Sequence, residues 1–592
     1  MTAENPNSGD VHKGQFTRSA NGMTIDFDVP IVMDDGVTVR ADVYRPQGGG
    51  RHPVIMTMGP YGKGLAVQDG WTFNWTKAVT EWPEIERGST NVYQTWETVD
   101  PERWVPDGYV CIRIDSRGAG RSPGYLDPWS PRETRDYYTC IEWAAVQPWS
   151  TGKVGLAGIS YYAMNQWHVA ALRPPHLSAM IVQEGAADFY RDFARHGGIR
   201  SQFVDVWYRN LYETVQHGAT AAGYRSRVTG QSVTGPEEFD ADELARHRRD
   251  LVDEIRRREF VDEFYRDRTA DLERIVTPLL SCGNWGGQGL HPRGNTEGFL
   301  RAGSTHKWLE MHGDTHTSPF YTDYGVRMQK EFFSCFLKGD SDAWMSRPPV
   351  SLRVRQVDGS FVDRAEYEWP LERTVWTKLY LDLGSRTLGR EGGSTADASF
   401  DATGDGIRFV SAPMDEDTEL TGPLAAHLNI SSSTEDADIF LCVAAIDPDG
   451  REVTFQGSND PRTPLALGWL RASHRKLDES ATETYRPLHS HDGRLPLRPG
   501  VPVGLDIEIW PTCIALPKGY RLAVTVRGRD YDNGSETDPA SRYPLRGVGP
   551  FTHEDPVDRP MNVFGGVTTI HSTEADPPYL LIPIIPAAGG NT

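Results

Sequence analysis

Cysteine is scarce. The six in 592 residues (Cys111, Cys140, Cys282, Cys335, Cys442 and Cys513) are scattered and form no Cys-x-x-Cys pair. Most sit inside apolar runs, so buried free thiols are expected rather than a disulfide framework. No run of about 20 apolar residues exists to span a bilayer. Met1 to Phe16 is polar and lacks the apolar centre of a secretory signal. Positive charge is outnumbered: 61 Lys and Arg stand against 82 Asp and Glu, a formal net charge of -21. That balance argues against binding nucleic acid or an anionic membrane by bulk electrostatics. The expectation is a cytoplasmic protein with neither kind of partner. The glycine-rich stretch Gly59-Pro60-Tyr61-Gly62-Lys63-Gly64 also lacks the spacing of a phosphate-cradling loop.

What is present points elsewhere. Apolar residues make up 38% of the chain, enough to fill real cores. The length suits about three domains. Residues 1–20 carry no pattern and are expected to be disordered. Two alternating strands follow, Ile31-Val-Met33 and Val37 to Tyr44, joined by the turn signal Asp34-Asp35-Gly36. Pro53 to Met58 and Tyr109 to Ile114 are buried strands. A helix opens at Ser130-Pro131-Arg132-Glu133, with Ser130 as N-cap and Glu133 completing a capping box. Strand and helix alternate from here, the sign of a doubly wound α/β domain.

The centre of that domain is Lys153 to Ala163. Val154 to Ile159 form a buried strand that stops at Gly158-Ile159-Ser160, and a helix follows directly from Tyr161 to Leu172. A sharp strand-to-helix turn through Gly-x-Ser lifts a serine above the sheet edge, beside backbone N–H groups able to hold an oxyanion. A plain serine N-cap is the competing reading, because Tyr162 stands where a second glycine is usual. Leu177 to Gln183 is the next strand, ending at Glu184. Residues 191–270 are rich in charge and helix formers (Glu237 to Arg257 most clearly), an insertion expected to cap the site. Thr277 to Cys282 and Lys307 to Met311 resume the sheet, followed by a last helix from Arg327 to Leu337. Residues 350–585 show short alternating strands with Gly, Pro and Asp turns, the pattern of a β-sandwich or jelly roll. The α/β domain therefore takes 21–190 and 271–345.

Gly158-Ile159-Ser160-Tyr161, Asp115-Ser116-Arg117-Gly118, Pro60-Tyr61, Ala187-Asp188-Phe189-Tyr190-Arg191 and Leu516 to Thr525 together resemble the cocaine esterase and X-Pro dipeptidyl-peptidase family. The likeness runs from about residue 25 to 585. It implies an α/β-hydrolase domain, a helical cap and a jelly roll. It also implies a serine hydrolase of esters or amides that uses a Ser–acid–His triad and no cofactor. On that likeness Ser160 is the nucleophile and His316, in Gly313-Asp314-Thr315-His316, the base, with His312 its competitor. The oxyanion donors are the Tyr161 backbone N–H and the Tyr61 hydroxyl.

The acid is where the chain departs. The family places an Asp shortly after a Trp in the loop beyond the penultimate strand, but here that loop is Gly283-Asn284-Trp285-Gly286-Gly287-Gln288. Glu184 ends the preceding strand at the same sheet edge and preserves the order Ser, acid, His. It is the expected acid, with Asp188 and Asp314 as runners-up and a capping or arginine-pairing role as its plain alternative. Glu310, His312, Asp314 and His316 would share one face if their strand continued. Nothing else suggests a metal, and none is expected. His489-Ser490-His491 is placed on a sandwich loop. Trp71, Trp75, Trp167 and Tyr162 favour an apolar or aromatic acyl group, unless they are core. The substrate is a small ester or amide. An acyltransferase using the same acyl-enzyme, and a non-catalytic carbohydrate-binding protein, are the rival functions, and a homo-oligomer is left open.

Overall fold

The computed structural model describes residues 14–340, 342–392, 395–537, 539–541 and 543–586. In chain order its first strands are β1 (Phe16–Ala20), β2 (Met23–Val32), β3 (Thr38–Pro46), β4 (His52–Gly59), β5 (Val110–Asp115), β6 (Ser150–Ile159) and β7 (Leu177–Gln183). A ribbon of β8 (Arg195–His196) and β9 (Ile199–Arg200) stands apart. Then come β10 (Leu279–Asn284), β11 (Lys307–His312), β12 (Val350–Arg355) and β13 (Phe361–Glu366). Without the ribbon these form an 11-stranded sheet, ordered β1-β2-β3-β5-β4-β6-β7-β10-β11-β12-β13. Neighbours from β5 to β12 run parallel. Their middle residues are buried on both faces (Val54 to Met58, Val154 to Ile159), as a sheet covered by helices requires. Parallel strands all point one way. Tyr61, Ser160, Glu184, Asn284 and His316 therefore emerge from, or just beyond, β4, β6, β7, β10 and β11 along a single edge.

Two expectations change here. Residues 1–13 lie outside the described residues, but Phe16–Ala20 is an edge strand and not a tail. Phe16 stacks on Phe27 with ring centroids 4.9 Å apart, giving the segment an apolar anchor. Residues 350–366 join the first sheet instead of the C-terminal one, because Val350 to Leu352 pairs in parallel with Leu309 to Met311. The helix formers of 237–257 build two short helices, Ala241–Arg246 and Leu251–Arg257, each started by an aspartate cap (Asp240, Asp250). A second aspartate cap offers the backbone a fresh start and breaks the run.

The C-terminal half is a 12-stranded sheet. It closes on itself because Tyr579–Ile585 pairs with both Val375–Asp382 and Thr418–Ser432. Leu, Ile and Val side chains fill it, among them Leu424, Ile439, Val443, Ile507 and Val524. The shape is compatible with a β-sandwich. All six cysteines are free, and only Cys335 is not fully buried. Among the described residues no helix is long and apolar enough to cross a membrane.

Candidate active site

Ser160 sits between β6 and the helix Tyr161–Ala171 with φ 56° and ψ -111°. A non-glycine residue in such a conformation costs on the order of 1–3 kcal/mol and persists only where its surroundings hold it. They do here. The Ser160 N–H donates to the Gln183 carbonyl at 3.0 Å, and its own carbonyl accepts the N–H groups of Ala163 and Met164 at 2.9 and 2.8 Å. Tyr162 is accommodated because its neighbours are bare. A Cβ on Gly158 would lie 2.4 Å from the Tyr162 Cβ, and one on Gly59 would lie 2.4 Å from its ring.

His316 Nδ1 lies 2.9 Å from Glu184 Oε2, and both side chains are buried. Glu184 also has left-handed backbone, φ 47°. Its Oε2 accepts the Ser458 hydroxyl at 2.9 Å, and its Oε1 accepts Asn284 Nδ2 at 3.2 Å. Burial works against ionisation of Glu184, yet the charge of His316 and its hydrogen bond hold it well below the usual carboxylate range. For His316, burial opposes the positive charge, but the carboxylates of Glu184 and Glu97 outweigh it and push its pKa up to about 10.

The Tyr61 hydroxyl accepts the indole N–H of Trp207 at 2.8 Å. Its own proton is therefore left to donate elsewhere. Below it, the Tyr161 hydroxyl donates to the buried Glu133 carboxylate at 2.7 Å, and Glu133 accepts the Trp129 N–H at 2.7 Å. Glu133 thus ties Trp129, just before its own helix, to Tyr161 beside the serine, where the sequence expected it only to cap its own helix. The Tyr61 loop is held too, since the Lys63 N–H donates to Asp115 Oδ1 at 2.6 Å. Tyr61, Glu97, Ser160, His291 and His316 open on one cavity of about 690 Å³. A smaller cavity of about 140 Å³, lined by Trp308, Glu310 and Tyr324, does not include Ser160.

Residues 35–318 match the family model of the X-Pro dipeptidyl-peptidase (S15 family), and residues 342–581 match that of the X-Pro dipeptidyl-peptidase C-terminal non-catalytic domain. A CocE/NonD family hydrolase from Staphylococcus aureus superposes with a TM-score of 0.83 at 31% identity, covering 98% of this chain and 99% of that one. The chain belongs to the CocE/NonD family of hydrolases. It is a serine hydrolase of ester or amide bonds. The cocaine esterase of Rhodococcus sp. (strain MB1 Bresler) is 24% identical over 72% of this chain and 81% of its own length. A putative Xaa-Pro dipeptidyl-peptidase of Streptomyces avermitilis is 22% identical over 86% and 79% respectively.

Within this CocE/NonD chain the other candidates fall away from His316. Asp188 caps the turn that follows it, accepting the N–H groups of Tyr190 and Arg191 at 3.0 and 2.9 Å, and pairs with the Arg191 side chain. Asp314 faces Arg353 at 3.5 Å. His312 bonds Glu310 Oε2 at 2.6 Å, inside the sheet and 3.8 Å from Glu184. Glu310, His312, Asp314 and His316 thus do not converge as metal ligands. Donor atoms of Glu184, His291 and His316 do lie within 4.8 Å of one another. The Glu184–His316 hydrogen bond accounts for much of that closeness. His489 and His491 are buried rather than loop decoration, because the segment 191–270 packs over them: the Arg191 side chain donates to the His489 carbonyl at 2.7 Å and the Val261 N–H to the His491 carbonyl at 2.9 Å. Trp167 is core at 0% exposure, whereas Trp71 lines the cavity and stacks on Trp96 at 5.0 Å.

Three neighbours were not legible in the sequence. Trp207 comes from the segment 191–270 and Ser458 from the C-terminal half, far from the motifs they serve. Glu97 lies 3.0 Å from His316 Nε2. A left-handed glutamate gives no local sequence signal, so only the assembled fold reveals it.

Proposed function

We propose that the chain is an α/β-hydrolase with a cap and a jelly roll that cleaves a carboxylic ester or amide through an acyl-enzyme on Ser160. One observation carries this reading. A strained serine at the head of a helix opens on the same cavity as a buried, hydrogen-bonded His316–Glu184 pair. Ser160 Oγ attacks the carbonyl carbon while His316 Nε2 takes its proton, and Glu184 stays ionised to balance the imidazolium. The oxyanion is met by the Tyr61 O–H and the Tyr161 N–H. His316 then returns the proton to the leaving alcohol or amine. A water, deprotonated by the same nitrogen, cleaves the acyl-enzyme and restores Ser160.

The aromatic walls favour an apolar or aromatic group on one side of the scissile bond. Phe203, Trp207 and Leu211 come from the cap, and Trp71 and Trp96 from the other wall. Asn459 and Arg462 add a polar rim from the C-terminal half. No cofactor, nucleic acid or membrane enters this reading. A fluorophosphonate probe should label Ser160 in the native protein. Ser160→Ala should abolish both labelling and hydrolysis of a p-nitrophenyl ester while leaving the thermal melt unchanged. Retention of substantial activity by that variant would remove Ser160 as nucleophile.

A further inference from the structure

Glu97 is tied to both ends of the proposed reaction. Its carbonyl accepts the Ile159 N–H at 3.1 Å, one residue before Ser160. Its carboxylate Oε1 lies 3.0 Å from His316 Nε2. Its backbone is left-handed, φ 61°, a strained state that only a well-packed surrounding maintains. Oε2 is buried without a hydrogen-bond partner, and the residue lines the cavity beside Ser160.

Nε2 is the nitrogen a general base must turn toward the serine, and Nδ1 is already taken by Glu184. A ring that satisfies a carboxylate on each side carries two N–H protons and has no lone pair to accept a third. Among the described residues no hydrogen bond joins Ser160 Oγ to His316. Resting on the reading of Ser160 as nucleophile and His316 as base, we infer that Glu97 is a positioning residue that clamps His316 in a doubly protonated resting state. The site becomes competent when this contact opens.

The surroundings support a clamp. His316 is faced by Glu184 from the end of β7, by Glu97 and Trp96 from the loop before residue 100, and by His291 from the start of the helix Pro292–Arg301. His291 stacks on it with centroids 5.5 Å apart and planes 12° apart. Burial holds the His291 pKa down to about 3, so this ring adds no charge. Glu97 feels His316, Glu184 and the phenols of Tyr61, Tyr162 and Tyr321. Burial raises the pKa of Glu97 from its usual value, with His316 pulling the other way. Opening releases the Nε2 proton to solvent as the pH rises, leaving a neutral imidazole whose lone pair is free to face Ser160, and the Glu97 carboxylate then turns away from the ring.

The test is the pH profile of Glu97→Gln, with Glu97→Ala as the second variant. It would be read as kcat/KM on a p-nitrophenyl ester and, in parallel, as the rate of fluorophosphonate labelling of Ser160. Activity needs neutral His316, so it rises with pH through the pKa of that ring. Removing one carboxylate should move this acid limb down by about 1–3 pH units and raise the rate at pH 7 by about tenfold or more. A merely structural role would not shift the limb. An unmoved limb in both variants, or a rate that falls across the whole range, overturns the clamp while Ser160 labelling continues. Failure of the probe to label Ser160 in the unaltered protein at any pH would instead defeat the hydrolytic site on which the clamp rests.

Discussion

Glu184→Gln is the sharpest single change to make. Glu184 is fully buried, and its oxygens accept from His316 Nδ1 at 2.9 Å, Ser458 Oγ at 2.9 Å and Asn284 Nδ2 at 3.2 Å. An amide of the same size offers one acceptor and one NH2 group to three donors. If its NH2 faces His316, Nδ1 must accept, the ring proton moves to Nε2, and the nitrogen needed for Ser160 is blocked. If the amide is flipped, its NH2 faces that of Asn284 and a buried donor is left unmet. The first arrangement reproduces the wrong-tautomer effect, for which a loss of ~10⁴ in kcat is the known scale. At 1.36 kcal/mol per tenfold that is about 5 kcal/mol of transition-state stabilisation. Because the acid does not touch substrate, KM should change little. Initial rates on a p-nitrophenyl ester, with folding checked by thermal melt, measure the split. A kcat within about tenfold of the unaltered protein would refute the assignment of Glu184 as the orienting acid.

Two further changes test the flanks of the site. Tyr61→Phe removes the proton that Trp207 leaves free and should lower kcat by about 10²–10³ with Ser160 still labelled by a fluorophosphonate; unchanged kcat would exclude the hydroxyl as an oxyanion donor. Ser458→Ala removes one of the bonds to Glu184 from a residue in the C-terminal half. It should cost about 1 kcal/mol, a several-fold fall in kcat at constant KM, and a rise in KM alone would mean that Ser458 only shapes the pocket.

The parallel strands of the first sheet were legible because both of their faces are buried and the apolar runs are unbroken, as in Val154 to Ile159. The serine turn was legible because Gly158-Ile159-Ser160 joins a buried strand directly to a helix; that Gly158 makes room for Tyr162 emerges only from the fold. What escaped the sequence depends on contacts between distant segments. Phe16 gains its partner Phe27 only after the chain turns back, and Val350 joins the first sheet only because β11 presents an open edge. The side chains of Trp207, Ser458 and Glu97 reach Tyr61, Glu184 and His316 across separations of 146, 274 and 219 residues. No local spacing encodes such meetings.

The position of the proposed acid has a physical explanation of the same long-range kind. β7 and β10 are adjacent and in register, with Gln183 opposite Cys282. An acid at the end of β7 therefore starts about 4.8 Å, one strand spacing, from the place beyond β10 where the family likeness expects it. The longer glutamate side chain helps it reach His316. The vacated place is not empty. Gly457 and Ser458 of the C-terminal half pack into it, so closely that a Cβ on Gly286 would lie 2.3 Å from the Gly457 Cα. The Ser458 N–H donates to the Gly286 carbonyl at 3.1 Å, its carbonyl accepts the His316 N–H at 3.0 Å, and its hydroxyl bonds Glu184. The glycines at 286 and 287, the inserted loop and the glutamate at 184 thus form one arrangement. Restoring an aspartate at 286 would clash with the loop that supports Glu184 before it could replace it, so moving the acid back to β10 requires changes in both halves of the chain.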